Sequence, residues 1–121
     1  MQASQFLIIV HSEKPERLVT FYKDVVGLEP RFEVTPGAFN TGSSSFVDLI
    51  VEPHSEVHGA AREPERVMLN FVVADAVAEQ RRIESCGVQF VRPATEEPGV
   101  GLFATFADPD GNYCQLIELR D

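Results

Sequence analysis

The sequence predicts one order of secondary-structure elements twice, and this repeat most restricts the possible folds. Residues 5–11, QFLIIVH, form a β-branched apolar run typical of a strand. A helix with apolar residues at helical spacing follows. Three extended segments then come in turn, LEPRFEV, GAFNT and SFVDLIVE. Residues 5–52 are therefore predicted to form one βαβββ module.

The second half of the chain gives the same order. RVMLNFVV is predicted as a strand, a helix follows, and VQFVRP, LFATFAD and YCQLIEL are extended. This second module covers residues 66–119, and residues 53–65, which have loop composition and no periodicity, form the linker. The segment FVDLIVE in the first half is similar to YCQLIEL in the second. Two equivalent units are expected to pack into one object, with a site between them.

Capping residues and turn residues define the expected boundaries. Ser12 or Glu13 is the expected cap of the first helix, which Gly27 ends. Asp75 is the expected cap of the second helix, which ends near Cys86 and is terminated by Gly87. Turns are predicted at residues 35–37, 42–44, 95–101 and 108–112.

Composition argues against several classes of function. The 121 residues, 44% of them hydrophobic, suffice for one compact domain. The 19 acidic and 10 basic side chains give a formal charge of −9, which argues against nucleic-acid binding and fits a cationic small ligand or plain solubility. No apolar run reaches the roughly 18 residues of a membrane span and no signal peptide is recognisable, so a cytoplasmic protein is expected. Cys86 and Cys114 have no CxxC or metal-ligand spacing and are expected to be free thiols.

The last predicted strand contains a polar residue in an apolar run. Side chains alternate along a strand, so Tyr113, Gln115 and Ile117 share one face while Cys114 and Leu116 share the other. When the two modules are aligned on their shared Leu-Ile pair, Asp48 stands where Gln115 stands. These two polar positions are therefore candidates for a site.

Two segments and the paired order of elements resemble a known superfamily. FYKDVVGLEP at residues 21–30 and ADPDGNYCQLIEL at residues 107–119 are similar to motifs of the vicinal oxygen chelate superfamily, which contains glyoxalases, bleomycin-resistance proteins and extradiol dioxygenases. The resemblance covers essentially the whole chain. It implies an α+β fold, two tandem βαβββ modules forming half-open sheets around a cavity, and a homodimer. It also implies that the ligand positions of the metal enzymes fall on Leu7, Asp48, Met68 and Gln115.

These four residues do not suit a divalent metal ion. Leu7 has no donor atom, Met68 offers a soft thioether and Gln115 a neutral amide, so only Asp48 is a competent ligand. Catalytic metal sites generally use three protein ligands. We therefore expect no metal and no other cofactor, and metal-dependent activity of the family type is disfavoured. Whether the chain is an enzyme stays open.

Alternation along the strands predicts the lining of the expected cavity. The residues predicted to bind a ligand are Leu7, Ile9, Phe46, Asp48, Met68, Asn70, Tyr113 and Gln115. Those predicted to pack under the helices are Ile8, Val10, Val47, Leu49, Leu69, Phe71, Cys114 and Leu116. A mostly apolar lining with a few polar groups is typical of a small-molecule pocket. The alternative is a filled core whose polar groups satisfy one another by hydrogen bonds.

The three histidines have weaker claims to function. His54 and His58 are four residues apart, a spacing that can chelate a metal on a helix, but their segment lacks helical periodicity and is predicted to be a solvated loop. His11, at the end of the first strand, is a candidate general base because its reference pKa is near neutral.

Three functions from different classes fit the sequence. The first is a metal-free protein that sequesters a small, partly apolar ligand, which can be cationic. The second is an enzyme, either a degenerate metal-dependent lyase or dioxygenase, or a metal-free isomerase or epimerase with Asp48 or His11 as base. The third is a dimerising module that binds nothing small. The missing ligands count against a metal enzyme and the polar cavity residues against an inert module, so binding is favoured.

Overall fold

The computed structural model describes residues 1–42 and 46–120 and confirms the predicted order of elements. The first half contains β1 (Ile8–Ser12), α1 (Pro15–Thr20), a π-helical segment (Phe21–Val26), β2 (Glu29–Pro30), β3 (Ala38–Asn40) and β4 (Leu49–Pro53). The second half contains β5 (Leu69–Val72), α2 (Ala76–Ser85), β6 (Arg92–Glu97), β7 (Gly101–Ala107) and β8 (Tyr113–Leu119). Among the described residues, neither helix has the length and apolar character needed to cross a membrane.

The strands form two four-stranded sheets with the same connectivity. Their strand orders are β1-β4-β3-β2 and β5-β8-β7-β6. In each sheet the first and last strands of the module pair in parallel, and the other neighbours pair antiparallel. The chain divides into two compact units, unit 1 from Met1 to Gly59 and unit 2 from Ala60 onward. The α+β class with two tandem, open-sheet modules is therefore as predicted.

The core of unit 1 lies between its helical segment and its sheet. Leu18 and Tyr22 are fully buried, as is Phe39 of β3. At Phe21 the helix changes to π-helical hydrogen bonding, and the rings of Phe21 and Tyr22 meet edge to face with centroids 5.5 Å apart. Position 37 next to this core requires glycine, because its φ is +84° and a Cβ there would lie 2.2 Å from the backbone oxygen of Val51.

The core of unit 2 lies between α2 and one face of its sheet. Ala76 and Ile83 of α2 are fully buried, and the sheet residues buried with them include Ala104, Phe106, Cys114 and Leu116. The alternation predicted for the last strand is confirmed, because Cys114 and Leu116 are buried while Gln115 is only half-buried. Cys86 and Cys114 are both free thiols, as expected.

The predicted helix boundaries are right for α2 and wrong at the start of α1. Asp75 caps α2, its carboxylate accepting a hydrogen bond from the Ala78 N–H at 3.0 Å, and Gly87 follows with φ +91°. Neither Ser12 nor Glu13 is the cap of α1, because Lys14 occupies that position without a side-chain cap bond. The Ser12 hydroxyl instead accepts the Lys14 N–H at 3.0 Å, which turns the chain out of β1.

Several predicted strands are longer than the observed ones. The run at residues 5–11 gives a strand only from Ile8, and SFVDLIVE only from Leu49, because the parallel β1–β4 pairing starts at that residue pair. RVMLNFVV and LEPRFEV likewise shorten to Leu69–Val72 and Glu29–Pro30. The turn predicted at residues 95–101 is shorter than expected, because Glu97 pairs with Gly101 across the β6–β7 ladder. In the turn predicted at residues 42–44, residues 43 and 44 lie outside the described residues.

The Asp-Pro-Asp-Gly-Asn turn between β7 and β8 is held by the buried side chain of Asp108. Its carboxylate accepts hydrogen bonds from the backbone N–H groups of Asp110 and Asn112 and from the side-chain amide of Asn112, each at 2.9 Å. Asp108 is 4% exposed, so these bonds lie largely out of water. The backbone oxygen of Asp110 also accepts the Ala61 N–H at 2.8 Å, which ties the start of unit 2 to the turn. This motif therefore has a structural role.

Replacing Asp108 by alanine should destabilise the protein far more than replacing Asp75. Asp108→Ala leaves buried donors without their charged acceptor, so we expect a loss of about 3 kcal/mol in the free energy of unfolding. Asp75→Ala removes one exposed helix cap and should cost about 1 kcal/mol. Urea denaturation of both variants measures the difference. Equal losses would show that the buried network adds nothing beyond one exposed cap.

Candidate functional site

Of the predicted ligand residues of unit 1, Ile9 lies within the sheet, on the face opposite α1. Ile9 lies in β1 with Ile50 as its partner on β4, and Ile9 is 45% exposed. Leu7 and Asp48 lie one residue before β1 and β4, where the Ile8 N–H donates to the Asp48 backbone oxygen at 2.9 Å. Both residues were predicted to lie within strands, and that prediction is wrong by one residue. Phe46 precedes β4 and is also exposed.

The carboxylate of Asp48 is engaged by a neighbouring loop residue. Its Oδ2 accepts the Thr41 N–H at 2.9 Å and the Thr41 hydroxyl at 3.3 Å. These two bonds connect the chain after β3 to the start of β4. Asp48 therefore has a structural partner within unit 1.

Two of the predicted ligand residues of unit 2, Asn70 and Gln115, form a polar row across its sheet together with Thr105. Asn70 of β5 and Gln115 of β8 are direct register partners, and Gln115 in turn faces Thr105 of β7. The Gln115 amide donates to the Thr105 hydroxyl at 3.3 Å. The Asn70 amide donates to the backbone oxygen of Met68 at 3.2 Å. Gln115 therefore lies on the face opposite α2, beside two other polar groups.

Apolar side chains flank this row on the same face. Phe103 pairs with Ile117 in the β7–β8 register, and Tyr113 pairs with Ala107. Met68 was predicted to lie in a strand but lies one residue before β5. Its side chain is half-buried. The face thus combines a central line of hydrogen-bonding groups with an apolar surround.

Sequence reasoning missed two members of the row, Thr105 and Arg92. Arg92 of β6 is the register partner of Thr105, and its guanidinium forms an ion pair with Glu97. Thr105 is the polar residue within the apolar run LFATFAD, which is the kind of signal that marked Gln115. Assigning it to the site required the register between β7 and β8. Without that register the two faces of this strand are indistinguishable.

Unit 1 contains a second group of polar side chains around His11. The His11 Nε2 lies 3.4 Å from Glu52 Oε1, and the rings of His11 and His54 meet edge to face with centroids 4.7 Å apart. His54 Nδ1 accepts the Glu56 N–H at 3.1 Å. The loop carrying His54 has no helix, as predicted, but the residue contacts the sheet. A histidine oriented by a carboxylate is an arrangement capable of proton transfer.

Glu13 contacts the last residues of unit 1 through its carboxylate. Its carboxylate accepts the Gly59 N–H at 3.1 Å and lies 3.6 Å from Nδ1 of His58. The Gly59 hydrogen bond is the main reason that the pKa of Glu13 is lowered, against a smaller opposing effect of desolvation. His54 and His58 therefore have separate partners.

The donor groups do not fit the metal that the resemblance implies. Leu7 and Asp48 belong to unit 1, and Met68 and Gln115 to unit 2. Within the described ranges, 1–42 and 46–120, no group of three or more histidine, cysteine, aspartate or glutamate side chains could hold a metal ion. Asp48 is the one strong donor of the four, and Thr41 already engages it. No metal-dependent step can be derived from these residues.

Comparison with known proteins identifies relatives of the chain. A profile of the Glyoxalase/Bleomycin resistance protein/Dioxygenase superfamily matches residues 7–116. Two proteins named "Putative glyoxylase CFP32", from Mycobacterium bovis (strain ATCC BAA-935 / AF2122/97) and Mycobacterium tuberculosis (strain CDC 1551 / Oshkosh), are each 26% identical over 112 residues. The match covers 88% of this chain and 41% of theirs, so the chain spans less than half the length of these relatives.

Solved structures share the fold over nearly the whole chain. A member of the same superfamily from Sphaerobacter thermophilus DSM 20745 has a TM-score of 0.74 at 17% identity, covering 97% of this chain and 98% of that one. A protein of unknown function from Agrobacterium tumefaciens str. C58 has a TM-score of 0.75 at 21% identity, covering 99% and 98%. At such identities the likeness concerns the fold alone.

The Gly59 amide should report the lowered pKa of Glu13. A carboxylate whose pKa is lower in the folded state stabilises above its unfolded-state pKa, and this contribution is lost as the pH falls through the folded-state pKa. In an NMR titration the chemical shift of the Gly59 amide should therefore change with a midpoint at a pH below about 4.3, the pKa of an ordinary glutamate. Glu13→Gln should remove this movement and Glu56→Gln should keep it. Movement at the ordinary value would contradict the assignment.

Proposed function

Because the chain belongs to the glyoxalase/bleomycin resistance protein/dioxygenase superfamily, we propose that it uses this fold to bind a small, partly apolar organic molecule without a metal ion. The observation that carries the proposal is the donor set at the four family positions, which offers one carboxylate, and that carboxylate is hydrogen-bonded to Thr41. The remaining positions supply apolar contact, a thioether and an amide. Such groups suit an organic ligand better than a divalent cation.

The unit 2 sheet face provides the recognition groups. Asn70 and Gln115 present amide groups that can donate to and accept from a ligand, and Thr105 lies buried behind Gln115. The Gln115–Thr105 bond keeps the Gln115 amide in one orientation, so less side-chain entropy is lost on binding. Phe103 and Tyr113 add apolar area beside them. The ligand would be orientated by this polar row and held by the surrounding side chains.

The unit 1 sheet face contributes apolar area. Ile9, Phe46 and Leu7, which lie in or just before β1 and β4, are all exposed apolar residues. The formal charge of −9 favours a cationic ligand over an anionic one. Asp48 adds to this field, and its Oδ2 accepts two hydrogen bonds from Thr41. A homodimer and a cytoplasmic location, predicted from the sequence, belong to the same proposal.

A specific observation favours one second candidate, a metal-free enzyme that moves a proton. His11 and Glu52 lie 3.4 Å apart, which is the arrangement of a base and its orienting carboxylate. Asp48, the other base considered, is a poorer choice because its carboxylate is hydrogen-bonded to Thr41. The name of the mycobacterial relatives also points to an enzyme. This candidate would use His11 to remove a proton next to a carbonyl group.

Metal ions should not stabilise the protein. A metal ion that binds only the folded state must raise the thermal unfolding midpoint. Because we expect no such binding, addition of Ni, Zn, Mn or Fe(II) to chelator-treated protein should leave the midpoint unchanged. The matched control is Asp48→Asn, which removes the single charged donor and keeps the side-chain volume. A saturable rise that Asp48→Asn abolishes would overturn the metal-free proposal.

The second candidate is tested by proton exchange into small carbonyl compounds. In deuterium oxide with dihydroxyacetone or a related α-hydroxycarbonyl compound, a His11 base would speed loss of the α-proton signal in NMR spectra. His11→Gln should then slow the exchange by about a hundredfold or more, while Asp48→Asn leaves it unchanged. If the α-proton of these compounds exchanges no faster than in buffer, the second candidate function is contradicted and the binding function remains.

A further inference from the structure

Unit 1 has an open cavity on the side of its sheet that α1 covers. Its volume is about 620 Å³, within the range of drug-sized ligand pockets. The apolar part of its wall consists of Pro15, Val19, Phe32, Pro36, Val51 and Pro53. Val51 is buried toward α1, whereas its neighbour Ile50 belongs to the opposite face with Ile9. The cavity is therefore distinct from the sheet face considered above.

The wall of this cavity is held by contacts within unit 1. The ring of Phe32 packs edge to face on the buried Phe39, with centroids 5.6 Å apart, yet Phe32 remains 43% exposed. Gly37, which also lines the cavity, accepts the Val51 N–H at 2.9 Å and so fixes the adjoining loop to β4. An aromatic surface held in this way loses little freedom when a second ring packs against it.

The charged groups of the wall have one sign. Glu16, in the first turn of α1, places an exposed carboxylate at the cavity, and no lysine, arginine or histidine lines it in the described part of the chain. Glu52 also lines the cavity, but its carboxylate is directed to His11. With a formal charge of −9 on the whole chain, an anionic ligand is disfavoured here and a cationic one is favoured.

We propose that this cavity is a binding site for a compact organic cation, an aromatic ring system bearing one ammonium group. The ring would pack on Phe32 between the proline and valine side chains, and the ammonium group would lie near Glu16. The site is separate from the sheet-face site of the proposed function, so either can exist without the other.

Three naphthalene probes of similar size and different charge test the proposal. They are 1-naphthylmethylammonium, 1-naphthylmethanol and 1-naphthoate, and their fluorescence is readily followed because the chain contains no tryptophan. The ammonium compound should bind saturably and more tightly than the alcohol by about two- to fivefold, and the carboxylate should bind most weakly. In NMR spectra the Val19 methyl groups should shift on binding, while those of Val72 on the unit 2 sheet should not.

Matched variants separate the ring from the charge. Phe32→Leu keeps an apolar side chain but removes the aromatic surface, and it should weaken binding of both the ammonium compound and the alcohol by up to about tenfold. Glu16→Gln should abolish the preference for the ammonium compound over the alcohol. Glu56→Gln removes the same charge from an exposed residue of unit 1 outside the cavity and should preserve that preference.

Two results would overturn the proposal. One is the absence of saturable binding of the ammonium compound to the folded wild-type protein. The other is an equal effect of Glu16→Gln and Glu56→Gln together with unchanged binding to Phe32→Leu, which would show only general attraction to an acidic surface. Gln115→Leu distinguishes the two proposals, because it alters the unit 2 face and should leave probe binding in this cavity intact.

Discussion

The parallel pairing between the first and last strands of each unit is the interaction on which the rest of the structure depends. It joins Ile8 to Leu49 in unit 1 and Leu69 to Cys114 in unit 2, far apart in the sequence. Parallel neighbours require a crossover, and α1 and α2 supply it while covering one face of each sheet. The opposite face is thereby left for polar and exposed residues. Both the polar row of unit 2 and the apolar face of unit 1 follow from this arrangement.

The sequence predicts well those features that depend on neighbouring residues. Asp75 and Gly87 mark the ends of α2 because capping and left-handed backbone are local properties. Alternation separates Gln115 from the buried Cys114 and Leu116 for the same reason. The strand starts at Ile8 and Leu49 are not local, since they are fixed by where the two segments pair. An apolar run shows that a strand is possible and not where its partner begins.

The hydrogen-bond partners of the candidate site lie beyond sequence reasoning for a related reason. Thr105 becomes a neighbour of Gln115 only through the register of β7 and β8, and Thr41 reaches Asp48 only through the β3–β4 pairing. Thr41 carries no signal of its own, and Thr105, although it is a polar residue in an apolar run, does not show which residue of the next strand it faces. This matters for function, because Asp48, the one carboxylate at the four positions that the resemblance implies, accepts two hydrogen bonds from Thr41 within its unit. The chain thus has the fold of the superfamily, while the four residues at the positions implied by the resemblance do not suit a divalent metal.

The identical connectivity of the two sheets has an evolutionary meaning. Each unit has its own parallel closure, its own helix and its own core, as expected if one βαβββ segment was duplicated in tandem. Asp48 and Gln115 align with each other on the Leu-Ile pair that the two modules share, and each has a threonine partner. In the first copy that threonine is in the loop after β3, and in the second it is in the adjacent strand. After such a duplication, the two copies would have kept a polar residue at this position while acquiring different means of holding it.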